Sequence, residues 1–438
     1  MKLLVFAHTP PPHHGQSYMV QLMLNGFGGD RRKRPSAGKE DDSKQSSANP
    51  QGQRFGIECY HVNARLSKEL EDIGDLRVGK FILLLRYCLE AIWCRWRYGV
   101  STLYYIPAPG KPSALYRDWM VMFICRRFFK RVILHWHAAG LAKWLEMVVQ
   151  MRSRSITYQV MKQVDLSIVL SQYNRADAEK LFSQRIQIIS NGIPDPCPRF
   201  EREVLPRRQA RFAVRKKLLA GQSLTEEEIQ SAGPEPRQVR VVYLAHCTRE
   251  KGVFDAVNGV FLAAKRLAER KFPVSLKLLV AGTFVSPDER AEFDRLLTLP
   301  GMSELVHYFG FVSGETKLKL LREADLFCFP TYYENENQPV NLIEAMAFGL
   351  PILTTRWRSL PELFPANYAG LVDIRSPEQI ANVMPALMTG EAGDGFRDIF
   401  LRHYTIERHL SGLAEAFTSI ERPVAHPAAT MPVPSPAR

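Results

Sequence analysis

The sequence predicts an α/β protein of two facing units, each a parallel sheet flanked by helices, with a cleft between them. Three observations predict it. Short apolar runs of strand length alternate with helix-length segments, the pattern of βαβ units. That alternation halts once, at the Gly- and Pro-containing stretch "SNGIPDPCPRF" (190–200), and then restarts. The 438 residues, 46% hydrophobic and 24% charged, suit two large cores at roughly 100 to 200 residues per domain.

The elements follow in order. "KLLVFAH" reads as a buried strand, followed by a loop rich in proline and glycine and a helical pattern from about Gln16. Residues 28–54 are polar and mixed in charge, with too little apolar surface to order themselves, and read as a disordered insertion. Its "RRKR" suits a solvated loop, or a nucleic-acid or lipid contact. "FILLLRYCLEAIWCRW" (81–96) is interrupted by Arg86, Glu90 and Arg95. It falls short of the ~18 apolar residues of a membrane span and reads as a buried or interfacial helix. Strands are expected at 101–107, 131–137, 166–170 and 186–190. The charged, helix-prone stretch 201–240 reads as linker plus insertion. The second series of strands is 239–246, 275–282, 305–311, 325–330 and 351–355. After its first strand, Val253, Ala256, Val257, Val260, Phe261, Ala264 and Leu267 share one helical face. The expected division is a first unit over 1–195, a second over 196–395, a helical segment over 396–425 and a disordered proline-rich tail over 426–438.

The formal net charge of +13 favours anionic partners: nucleotides, nucleic acid or an acidic membrane face. The basic residues are spread along the chain and no nucleic-acid-binding module is readable, which argues against nucleic acid. The seven cysteines are scattered and none forms a CxxC, so neither a zinc site nor a disulfide framework is expected. With no secretory signal readable, a reducing cytoplasm is the simplest setting.

Ligands in open α/β sheets bind off the carboxyl ends of strands, and four constellations fall there. In "YYENENQPVNLIEAMAFG" (332–349), Glu336 precedes a helix and Glu344 lies inside it. Pro339 fits the first helical position, and the free amides of Val340 and Asn341 make an anion site. Two carboxylates so placed suit hydroxyls at two ends of a ligand with a diphosphate between them. Surface acids on an ordinary helix are the plainer reading. In "LAHCTREKG" (244–252), Lys251 precedes a helix, His246 ends the strand and Gly252 permits close approach. Alone, Lys251 reads equally well as a solvated lysine. In "HTPPPHHGQSYM" (8–19), Gly15 lets backbone approach a phosphate, or marks an ordinary turn. In "LHWHAAG", His135 and His137 share one face, and His137 is nearer the strand's end. It reads as an active-site or a structural histidine. No dinucleotide fingerprint, P-loop, DxD triplet, HExxH or GxSxG is present, so no metal is expected and Lys251 with a helix end would meet the diphosphate charge.

Together these stretches resemble the retaining glycosyltransferases of family 4, glycosyl transferases group 1, with two Rossmann-like domains in the GT-B architecture. The most specific part is 309–364, where Glu336 and Glu344 match the family's E-x7-E motif. The resemblance implies sugar transfer, hexosyl-type and metal-independent, from a UDP- or GDP-linked nucleotide sugar to a glycan or lipid-linked acceptor. Configuration would be retained, in cell-surface polysaccharide or glycolipid assembly. It implies that Glu344 holds the donor ribose, that Glu336 contacts the donor sugar, and that Lys251 neutralises the diphosphate. Gly15, Val340 and Asn341 would contribute backbone amides, and His137 would lie near the anomeric centre. His246 stands where many members have arginine, so Arg249 is a candidate substitute. Pro339 stands where many have glycine. "WCRWRYG" and "CRRFFKR" suit an anionic membrane surface, or solvated helix faces. The competing readings are a sugar-nucleotide epimerase of the same architecture, a basic nucleic-acid-binding protein and a non-catalytic relative.

Overall fold

The computed structural model describes residues 1–11, 14–33, 55–66, 78–390 and 395–421. The expected insertion, from residue 34 on, and the expected tail lie outside the described residues.

Two six-stranded sheets are present, and all of their strand pairs are parallel. The first contains β1 (Lys2–Ala7), β2 (Glu58–Asn63), β3 (Thr102–Tyr105), β4 (Arg131–Trp136), β5 (Leu166–Val169) and β6 (Ile186–Ile188), in the order β2-β1-β3-β4-β5-β6. The second contains β7 (Gln238–Leu244), β8 (Ser275–Ala281), β9 (Val306–Gly310), β10 (Leu326–Phe329), β11 (Ile352–Thr355) and β12 (Leu371–Val372), in the order β12-β11-β10-β7-β8-β9. Both sheets reverse their winding beside their first strand, between β1 and β3 and between β7 and β10. A crevice opens at the carboxyl ends of the strands at each such point. This is the two-unit GT-B architecture that the resemblance implies.

Two strands are absent from the sequence reading. β2 carries Glu58, His61 and Asn63, which break its apolar pattern, although Cys59, Tyr60, His61 and Val62 are all buried. The imidazole of His61 is satisfied by the carbonyl of Ala7 at 2.8 Å. β12 has only two residues, too few to show a period.

The stretch 201–240 differs from the linker and insertion expected there. It folds as the helices Leu205–Leu219 and Glu226–Ala232. The longer one turns Arg208, Arg211 and Arg215 inward with Val214 and Leu218. Arg211 and Arg215 reach the buried carboxylate of Asp325 at 2.9 and 2.6 Å. Burial alone would raise that carboxyl's pKa, but the two guanidiniums more than offset this and hold it below its ordinary range.

The helix Ile406–Ser419 crosses back to the first sheet. Its Leu410, Leu413, Ala416 and Phe417 share a core with Leu3, Val5, Val20 and Tyr104. Gly26 makes room for it, since a Cβ there would lie 2.3 Å from Leu410. Among the described residues, no helix is long and apolar enough to cross a membrane.

Candidate active site

A cleft of about 1030 Å³ separates the sheets and is lined by the loops that follow β1, β4, β7, β8 and β10. Its floor is assembled by close approach of the turns after β7 and β10. Gly252 has φ +81°, and a Cβ on it would lie 2.2 Å from the carbonyl oxygen of Pro330. The amide of Tyr332 donates to Glu250 O at 2.7 Å, and the hydroxyl of Tyr243 donates to the carbonyls of His246 and Lys251. Thus the backbone of Lys251 is fixed against the β10 loop.

That clamp brings Lys251 Nζ to 2.7 Å from Glu336 Oε2. The ammonium also lies 4.4 Å from the centre of the Tyr333 ring. Thr331, fully buried, donates its hydroxyl to the same carboxylate oxygen at 3.0 Å. Two residues 85 positions apart therefore form one charged pair at the switch point between β7 and β10.

Next to it the helix Val340–Ala347 begins. Pro339 is its N-cap rather than the expected first helical residue, and its carbonyl accepts from the Leu342 amide. Val340 and Asn341 line the cleft. The side-chain Nδ2 of Asn341 donates to Leu244 O at 2.8 Å, tying the helix start to the end of β7. Glu344 lies deeper, off the cleft wall, with Oε1 2.5 Å from Lys317 Nζ. Its charge, after burial, is a cause of the raised pKa of Tyr18 on the first unit's helix Gly15–Gly26. Gly15 opens that helix and faces Val340 from the other side of the cleft.

Histidines line the first unit's wall. His137 is half-buried in the cleft, its ring 4.3 Å from that of His135. Burial, then the charges of His409 and His14, lower its pKa to about 3, so the ring is neutral. Its Nε2 has no hydrogen-bond partner among the described residues. His135 instead turns Nδ1 to the hydroxyl of Tyr104 at 2.6 Å and does not line the cleft. His8 and His14 meet Nε2 to Nε2 at 2.6 Å, and burial, then Arg117 and Arg65, lower His8 to about 4. His246 lines the opposite wall, its pKa lowered by burial and then by Lys251.

Of the residues singled out from sequence, Lys251, Glu336, His137, Gly15, His246, Val340 and Asn341 converge on the cleft. Arg249 does not. Its guanidinium pairs with Glu292 and stacks 4.5 Å from the Phe254 ring centre, on the outer side of the turn. The substitute for an arginine at position 246 is therefore not Arg249.

Several contributors escaped the sequence reading. Lys317 sits on a separate helix and carries no local signal. Asn337 and Gln338, both buried, bridge the units. Asn337 accepts from Ser171 Oγ and donates to Asn174 Oδ1, at 3.1 and 2.8 Å. Asn191 donates its amide to Gln338 Oε1 at 2.5 Å. Glu362 accepts from the amides of Gln172 and Tyr173, both at 2.7 Å, at the start of the first unit's helix Gln172–Lys180. The polar run "ENENQ" was the available signal, because so many amides before a helix need partners. Among the described residues, no three His, Cys, Asp or Glu side chains converge to hold a metal ion.

The family model for glycosyl transferases group 1 matches residues 225–403. An uncharacterized glycosyltransferase of Methanocaldococcus jannaschii is 29% identical over 162 residues, 36% of this chain and 38% of that protein. The amylovoran biosynthesis glycosyltransferase AmsK of Erwinia amylovora is 27% identical over 159 residues, 35% and 37% of the two chains. The matched region thus spans little more than a third of those relatives' length. Among solved structures, Anabaena HepE in complex with UDP and glucose superposes with a TM-score of 0.60. It is 14% identical, over 96% of this chain and 100% of that one. Sucrose-phosphate synthase from Thermosynechococcus elongatus gives a TM-score of 0.60 at 17% identity, over 96% and 99%.

Proposed function

From the match of residues 225–403 to the family model for glycosyl transferases group 1, we propose that this chain transfers a sugar from a nucleotide diphosphate sugar to a hydroxyl of a glycan or lipid-linked acceptor, in polysaccharide or glycolipid assembly. The observation that supports this most is the Lys251–Glu336 pair at the β7/β10 switch point, beside the N-terminus of Val340–Ala347 and opposite Gly15. Anabaena HepE, which shares the fold, was solved in complex with UDP and glucose, and AmsK is named for amylovoran biosynthesis.

The roles follow from charge and position. A diphosphate placed beside Gly15 and Val340 draws Lys251 toward itself and meets the backbone amides of Val340 and Asn341. Glu336, still held by Thr331, then accepts hydrogen bonds from sugar hydroxyls. Glu344, paired with Lys317, takes the ribose hydroxyls. The neutral rings of His137 and His246 offer hydrogen bonds without adding charge. As the glycosidic bond to the diphosphate breaks, negative charge grows on the leaving oxygen, where Lys251 and the helix start stabilise it. The departing oxygen takes the acceptor's proton on the same face, which retains configuration and needs no protein nucleophile. No metal ion enters this scheme.

The test is a thermal-shift panel of UDP- and GDP-sugars on wild type and Glu344→Ala. A ligand at 100 times its Kd stabilises by about 2.7 kcal/mol. One nucleotide series is expected to shift the wild type and not the variant. Absence of any shift in folded protein overturns the reading.

A further inference from the structure

We propose that the helix Val78–Arg97 of the first unit lies on an anionic lipid bilayer. The inner face of this helix packs into the core through Leu84, Cys88, Ala91 and Cys94. Its outer face is also apolar. Ile82, Leu85, Leu89, Trp93 and Trp96 recur at spacings of three and four, forming one stripe along a helix about 30 Å long. All five are exposed, Trp96 by 70% and Ile82 by 62%. An apolar patch this extended on a soluble surface marks an interaction site.

Charge selects the partner. The helix carries Lys80, Arg86, Arg95 and Arg97 against the single acid Glu90. That acid is held by Arg32 at 2.6 Å, so it does not offset the outer cations. Arg86 and Arg97 are exposed beside the stripe. Aliphatic side chains in a row, tryptophans near one end and cations along the flanks match the boundary between acyl chains and acidic headgroups. A protein partner of ordinary composition would not call for this one-sided charge. The next helix, Pro112–Cys125, packs against this one and adds exposed Tyr116 and Phe123.

The inner side of the helix is tied to the cleft wall. Tyr87, on the same helix, donates its hydroxyl to Arg65 O at 3.2 Å, and Arg65 and Leu66 line the cleft wall.

The test is co-sedimentation of the full chain with phosphatidylcholine vesicles and with vesicles containing phosphatidylglycerol, at low and high salt. Wild type is expected to bind the acidic vesicles in a salt-sensitive way. Trp93→Ser/Trp96→Ser is expected to bind on the order of tenfold more weakly, and Arg86→Glu/Arg97→Glu to lose the preference for acidic lipid. Both variants are expected to melt as the wild type does. No binding of folded wild type to acidic vesicles at low salt overturns the proposal, as does wild-type binding by both variants. So does a dimer in vesicle-free solution that the tryptophan variant dissociates, since a second copy would then cover the face. Vesicle binding without any nucleotide-sugar shift would spare this proposal and sink the sugar-transfer reading.

Discussion

Lys251 and Glu336 each depend on the other, and this separates two effects of mutating them. Lys251→Ala leaves Glu336 buried with only the Thr331 hydroxyl as partner, a cost of about 1–3 kcal/mol. It also removes the cation expected to meet the leaving diphosphate, a loss of ~10²–10³ in turnover. In Lys251→Ala/Glu336→Gln the uncompensated charge is gone. Melting temperature is expected to recover in part while turnover stays low; recovery of both would assign the pair to structure alone. Gly15 gives the opposite case. A Cβ there meets only Val340 Cγ2, at an ordinary 3.8 Å. Gly15→Ala is expected to change stability by less than about 1 kcal/mol yet to weaken nucleotide-sugar binding, read by paired melting and titration experiments. The placement of these residues at the cleft was legible because each lies in a short local pattern at a strand end. Lys317 was not, since its partner Glu344 is 27 positions away on another helix. Arg249 was misplaced because sequence spacing does not say to which side of a turn a long side chain swings.

At the scale of elements, the turn after β7 is set by one backbone conformation. Gly252 combines φ +81° with a contact that a Cβ would bring to 2.2 Å of Pro330 O. Gly252→Ala is expected to cost about 2–4 kcal/mol in denaturant unfolding, through strain and through separation of the β7 and β10 loops. A loss below about 0.5 kcal/mol would show that the turn adapts cheaply. Most strands were visible as apolar runs because both faces of a parallel sheet are covered. β2 was not, because its polar residues are satisfied in the interior, as His61 is by Ala7 O. The helix Leu205–Leu219 was misread for the same reason in reverse. Its arginines look solvated in sequence, but Asp325, more than a hundred residues later, takes two of them into the interior.

At the scale of the molecule, the two-unit plan was legible from the interruption and restart of the strand pattern. What holds the units together was not, because it is made of polar contacts such as Asn337 to Asn174 and of a terminal helix returning to the first sheet. That return buries a group of histidines. His409 Nδ1 donates to Ser190 O, and its ring lies 6.3 Å from His135, which in turn meets His137. Burial is the first cause of every shift here: His137 falls to about 3, His409 to about 4, and His135 lies well below its ordinary value. The folded chain thus refuses protons that the unfolded chain accepts below about 6.5. Where the unfolded state binds more protons, stability falls as pH falls. The window opens near 6.5 and extends down to the folded values near 4 and 3. His409, fully buried, is expected to cost on the order of 2 kcal/mol by pH about 5. Asp118 and Asp177, whose pKa values burial raises, act with the opposite sign as pH falls through their raised values. Urea midpoints measured from pH about 7.5 to about 5 should therefore decline, and His409→Gln, which keeps a partner for Ser190 O, should flatten the decline. An unchanged slope in that variant would mean that the terminal helix opens and admits the proton without global unfolding.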